Sequence, residues 1–209
     1  MPRSLAPNTI TIIGLLIQAV GALVLIASGK NTDPAPTWAL FFYGTCVFVY
    51  QTLDNVDGKQ ARLLHNSTPL GMILDHGCDA LGILFLTIGV GRIIMLGDFE
   101  LYLWVFTLGV ATTFYLSAWC QYHSQGIMIL GKFNAPDDGI PAVWMMAFIS
   151  AVFGQEIWLT EVPIFGKIIP LNVLIPYAIL SAGVSKLEPT QSRCTRLSRE
   201  PGNTSPKTI

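Results

Sequence analysis

Apolar residues along this chain gather in blocks of about 20, the length of helix that crosses a hydrocarbon core of about 30 Å. Short polar stretches rich in Asn, Asp, Pro and Lys separate them. The blocks predict six spans: Thr9–Ser28, Thr37–Leu53, Pro69–Leu96, Leu101–Cys120, Ile140–Phe153 and Ile168–Val184. Pro7 and Asn8 sit where a helix start places them. Lys30, Asn31, Asp33 and Pro34 make a polar turn after the first block, and Asn134, Pro136, Asp137 and Asp138 make a loop before the fifth. From Ser185 to Ile209 apolar periodicity stops and Ser, Thr, Pro, Arg and Lys take over, which predicts a disordered tail.

Composition agrees with that pattern. The 209 residues are 52% hydrophobic and 12% charged, against roughly 25% charged in a soluble domain. The expected fold is therefore an all-α polytopic membrane protein with about six transmembrane helices. The first apolar run reads as a span and not as a cleaved leader. A net charge of −1 gives no footing for nucleic acid. Cys46, Cys78, Cys120 and Cys194 show no metal-ligand spacing and read as packing residues. With the N-terminus in the cytosol, Arg3, Lys59, Arg62, Lys132, Lys186, Arg193, Arg196, Arg199 and Lys207 fall on the cytosolic side. Lys30, Arg92 and Lys167 fall on the other, as the positive-inside tendency asks.

One stretch breaks the apolar pattern. LDNVDGKQARLLHNSTPLGMILDHGCDA, Leu53 to Ala80, carries Asp54, Asp57, Asp75 and Asp79 between two spans. An ionised carboxylate at the centre of a bilayer costs about 2.5–3.5 kcal/mol, so four unpaired ones would cost on the order of 10 kcal/mol. Asp54 and Asp57 are three apart and Asp75 and Asp79 four apart, so each pair shares a helix face. A short link makes the two helices antiparallel neighbours, and all four carboxylates can converge near the cytosolic boundary. Converging carboxylates repel unless cations lie between them, and hard oxygen ligands suit Mg²⁺, Mn²⁺ or Ca²⁺. Two such ions would nearly neutralise the cluster and would serve phosphoryl chemistry.

The neighbouring residues fit a phosphate ligand. Gly58, Ala61 and Gly71 are small enough to let a ligand approach the backbone. Lys59 and Arg62 bring positive charge, and Arg can grip phosphate with two hydrogen bonds. His76 could move a proton near neutral pH. Each also has a plainer reading. A single aspartate could bond helix to helix, the small residues could serve helix packing, Lys59 could be a positive-inside loop residue, and His65 reads as a solvated loop residue.

The stretch, written D-x2-D-G-x2-A-R-x8-G-x3-D-x3-D on Asp54, Asp57, Gly58, Ala61, Arg62, Gly71, Asp75 and Asp79, resembles the signature of the CDP-alcohol phosphotransferases. Ala6-Pro7-Asn8-Thr9-Ile10-Thr11, Tyr50-Gln51-Thr52-Leu53-Asp54 and Asp75-His76-Gly77-Cys78-Asp79 resemble the eukaryotic choline and ethanolamine branch. The resemblance runs from about Leu5 to Val184. It implies a transmembrane core over 1–184 followed by the polar tail, 185–209. It also implies transfer of phosphocholine or phosphoethanolamine from CDP-choline or CDP-ethanolamine to diacylglycerol, releasing CMP. On that pattern Asp54, Asp57 and Asp75 are metal ligands, and Asp79 is a ligand or the base, with His76 competing for the base role. Gly58, Ala61, Arg62 and Gly71 line the cytidine-diphosphate site, with Asn8 near the nucleotide or a metal. The cofactor is a pair of Mg²⁺ or Mn²⁺ ions. The expected setting is an endoplasmic reticulum or Golgi membrane, with the site facing the cytosol and a homodimer as the assembly.

Two departures stand out. The branch continues with further helices, so the chain reads as C-terminally shortened. Trp119-Cys120-Gln121-Tyr122-His123-Ser124-Gln125 lies where the branch often carries an acidic Trp-Glu-Glu-Tyr-His-Thr stretch, and both glutamates are absent. Trp119 and Tyr122 fit either a quaternary ammonium or an interfacial aromatic belt. Three rivals stay open: an inactive homologue pairing with a full-length enzyme, a cation transporter, and an enzyme using another alcohol such as inositol. A transporter predicts acids spread along a pathway through several helices, whereas these gather at one edge.

Overall fold

The computed structural model describes residues 5–30, 32–65, 68–97, 100–123, 135–164 and 167–181. Six helices fill most of that length: α1 Pro7–Ala27, α2 Thr37–Leu63, α3 Pro69–Ile93, α4 Glu100–His123, α5 Ala135–Phe153 and α6 Leu171–Ser181. Among the described residues, three helices are long and apolar enough to cross a membrane: α1, α3, and α4 over Leu101–Trp119. Gly139–Phe153 and α6 are apolar but shorter, and the C-terminal third of α2 is polar. Ile12, Leu16, Val20 and Leu23 of α1 and Leu101, Trp104, Val105 and Leu108 of α4 are exposed, as residues facing lipid tails would be. The polar tail, residues 124–134 and the side chains of Cys120 to His123 lie outside the described residues, whereas Pro136, Asp137 and Asp138, expected in a loop, belong to the first turn of α5, where a proline needs no helical partner for its nitrogen.

Two further expectations change. Helix α2 runs past the expected end of span two at Leu53 as far as Leu63 and carries Asp54 and Asp57 with it. The stretch expected to open span six is instead an antiparallel pair, β1 Glu161–Ile164 with β2 Lys167–Pro170, in register Glu161↔Pro170 to Ile164↔Lys167. Pro163 and Pro170 cannot donate the helical hydrogen bond, and Val162, Ile164, Ile168 and Ile169 favour extended backbone. Helix α6 therefore starts only at Leu171.

Helix α2 packs chiefly on α1 and α5, while α3 packs on α1 and α4. Small residues set the approach. A Cβ on Gly21 of α1 would lie 2.6 Å from Cys46 Cβ of α2, so only glycine allows that separation. Helices α2 and α3 meet through a seven-residue repeat, with Tyr43 over Gly89 and Tyr50 over Gly82. The tightest core gathers Ala22, Leu25, Ala39, Leu40, Tyr43, Val47, Val90, Ile93, Phe106 and Ala147, towards the end of the bundle where α1 and α3 finish.

That end is also tied by polar bonds. Gln155 Nε2 donates to the carbonyls of Arg92 and Ile93, each at 2.7 Å, and its Oε1 accepts from Ala35 N–H. Arg92, counted from sequence on the non-cytosolic side, is wholly buried and donates through Nη1 to the Asp33 carbonyl. The opposite end, where α1 and α3 begin and α2 finishes, holds the acidic cluster.

Candidate metal and phosphate site

Three helix termini build the site. Thr68 caps α3 by accepting from Gly71 N–H at 3.1 Å, and Pro69 follows with its φ already suited to a first turn. This start places Gly71, Asp75 and Asp79 at intervals of four on one stripe of α3. Because α2 stays helical, Asp54, Asp57, Gly58 and Ala61 form a matching stripe at its C-terminal end. His65, exposed and at φ 51°, turns the chain back between them.

Carboxylate oxygens of Asp54, Asp57 and Asp75 all lie within 4.8 Å of one another. Asp75 Oδ1 is buried with no hydrogen-bond partner. A buried oxygen left so is costly, and a divalent cation held by three carboxylates would satisfy it. The donor set, all hard oxygen, is the set such an ion takes. The residues present therefore fit a divalent metal.

Asp79 adjoins this trio and stands apart in its bonding. Its Oδ1 accepts from Tyr50 Oη at 2.9 Å, and it shares a hydrogen bond with Asp54. Asp57 is buried, and Thr11 Oγ1 of α1 donates to its Oδ2 at 2.5 Å. His76 lies one residue round the helix from Asp75. Its Nδ1 is 2.8 Å from the Met72 carbonyl, and its ring sits 6.2 Å from Phe114 of α4. The carbonyl can only accept, so Nδ1 carries a proton and Nε2 is the acceptor of the neutral ring.

The remaining motif residues frame the cluster. Arg62 is exposed in the last turn of α2, with Nη1 3.7 Å from the place a Gly58 Cβ would take. Asn8 is exposed at the start of α1, and its Oδ1 lies 3.4 Å from the corresponding position of Gly71. Ala61 is half-buried, Lys59 exposed. Helix α4 carries Trp119, exposed near its end, while the Tyr122 side chain lies outside the described residues.

Sequence reasoning missed Thr11, Tyr50 and Gln18. Their signal was present. Asn8, Thr11 and Gln18 are polar at helical spacing on an otherwise apolar span, and Tyr50 lies one turn before Asp54. Gln18 is fully buried, and its Nε2 donates to the Gly82 carbonyl at 3.1 Å.

Residues 4–179 match the CDP-alcohol phosphatidyltransferase family, and the chain belongs to it. It is 37% identical over 177 residues to choline/ethanolaminephosphotransferase 2 of Arabidopsis thaliana, covering 84% of this chain and 44% of the relative. It is 36% identical over 200 residues to cholinephosphotransferase 1 of Xenopus laevis, covering 89% and 49%. With cholinephosphotransferase 1 of Gallus gallus the identity is 39% over 167 residues, covering 79% and 49%. The chain thus spans about half the length of the curated relatives it matches. Family and apolar helices together make it an integral, polytopic membrane protein.

Proposed function

We propose that the chain transfers phosphocholine or phosphoethanolamine from CDP-choline or CDP-ethanolamine to the free hydroxyl of diacylglycerol, releasing CMP. The observation that carries this reading is the trio Asp54, Asp57 and Asp75, with Asp75 Oδ1 left unpartnered, standing on the family's motif. The names of the relatives support the choice of alcohol.

Asp54, Asp57 and Asp75 would hold Mg²⁺ or Mn²⁺, with Asp79 beside them should a second ion bind. When bound, such ions supply charge that offsets the diphosphate and the departing CMP. The chain's own groups do the rest. Gly58, Ala61, Gly71 and Asn8 leave room for the cytidine diphosphate, and Arg62 offers a forked donor to phosphate oxygens. His76 and Asp79 are the two candidates for the base, His76 beside Asp75 with its Nδ1 on the Met72 carbonyl and Asp79 bonded to Tyr50. The acceptor oxygen, losing its proton to one of them, bonds the phosphorus bearing the amino-alcohol as the bond to CMP breaks. The site faces the cytosol of an endoplasmic reticulum or Golgi membrane, where CDP-alcohols dissolve, and the enzyme works as a homodimer.

Purified chain in detergent, given each labelled CDP-alcohol with diacylglycerol and either Mg²⁺ or Mn²⁺, tests the proposal. Asp75→Asn should abolish CMP release while leaving the fold intact; full turnover in that variant would refute it. An inactive partner of a longer enzyme would show no CMP release from the parent chain.

A further inference from the structure

Two hydroxyls outside the acidic motif touch the cluster, from two different helices. Thr11 is 7% exposed and reaches Asp57 from α1 at 2.5 Å, the length of a charge-assisted bond. Tyr50 is 4% exposed and reaches Asp79 from α2 at 2.9 Å. The approach of Tyr50 is built into the backbone. Gly14 lies against Tyr50 and Leu53, and Gly82 gives the Tyr50 hydroxyl space that a Cβ would narrow to 3.2 Å. Each bond fixes the rotation of one carboxylate. Neither hydroxyl belongs to the Asp54, Asp57 and Asp75 trio that would meet the ion.

We propose that Thr11 and Tyr50 are positioning residues: their hydroxyls orient Asp57 and Asp79 and so set the affinity and shape of the divalent-cation site. The inference rests on the metal reading given above. Outer partners of this kind typically change metal affinity by about 10- to 100-fold when removed. A purely structural role is the competing account, since a hydroxyl-to-carboxylate bond between membrane helices can simply hold them together. That role would lower the melting temperature and leave the cation site of the folded fraction unchanged.

Mn²⁺ titration of the purified chain, followed by electron paramagnetic resonance, separates the accounts without turnover. Thr11→Val and Tyr50→Phe remove only the hydrogen bonds and should weaken Mn²⁺ binding by about tenfold or more, while Thr11→Ser restores parental affinity. Unchanged Mn²⁺ affinity in folded Thr11→Val and Tyr50→Phe would overturn the proposal. If Thr11→Val does not fold, Tyr50→Phe and the Thr11→Ser comparison decide it alone. No Mn²⁺ binding by the parent chain would instead sink the metal reading itself, a distinct result. A shift of apparent Mn²⁺ requirement in turnover, with the KM for CDP-alcohol unaltered, would add support from the working enzyme.

Discussion

At the scale of single residues, the cluster divides by partner. Asp57 and Asp79 are each held by a protein hydroxyl, whereas Asp75 keeps an oxygen with none. Replacing Asp75 by Asn should therefore remove metal binding without the loss of any hydrogen bond to that oxygen. Arg62, exposed and beside Gly58, offers two parallel donors that lysine lacks. Arg62→Lys should raise the KM for the CDP-alcohol by about tenfold, the effect of weakening one charge-assisted contact by roughly 1.4 kcal/mol. Steady-state kinetics at saturating diacylglycerol measures it, and an unchanged KM would mean that the guanidinium does not touch the substrate.

At the scale of helices, glycines decide how near two backbones come. A Cβ on Gly89 would fall 2.1 Å from the hydroxyl of Tyr43, which is wholly buried and has nowhere to go. Gly89→Ala should cost about 1–3 kcal/mol and lower the melting temperature in detergent. Gly77, exposed with nothing near its Cβ position, is the contrasting case. Gly77→Ala should leave stability unchanged or raise it by about 0.5–1 kcal/mol through helix propensity. The same scale shows what was legible in the sequence. Apolar block lengths located the five longer helices, and the spacing of Asp54 with Asp57 and of Asp75 with Asp79 put each pair on one helix face, since both follow from local periodicity. The β1–β2 pair was hidden because an apolar run containing Pro163 and Pro170 reads alike as span or strand. The partners of Thr11 and Tyr50 were hidden because they lie 46 and 29 residues away, in contacts no local pattern specifies.

At the scale of the molecule, one end is locked and the other is left for chemistry. Gln155 joins the turn before α2, the end of α3 and the segment after α5. Gln155→Ala would leave the Arg92 and Ile93 carbonyls and the Ala35 N–H without these partners, at about 1–3 kcal/mol for each group that stays dry. A drop in melting temperature with unchanged kcat per folded molecule is the expected result, because the bonds lie at the far end from Asp54. A fall in kcat at constant stability would show that the two ends communicate.

The unbroken course of α2 works as a depth gauge. Counted from Thr37 at 1.5 Å per residue, Asp54 stands about 26 Å and Asp57 about 30 Å along the rod, with another turn and a half beyond. A hydrocarbon layer is about 30 Å thick, so a rod of this length seated at its other end would carry the acids to the headgroup plane. On the proposed function, a greasy acceptor and a charged nucleotide would then meet at one level without either leaving its own phase. Reconstitution in bilayers of graded acyl length should give turnover that peaks at a matching thickness and falls on both sides.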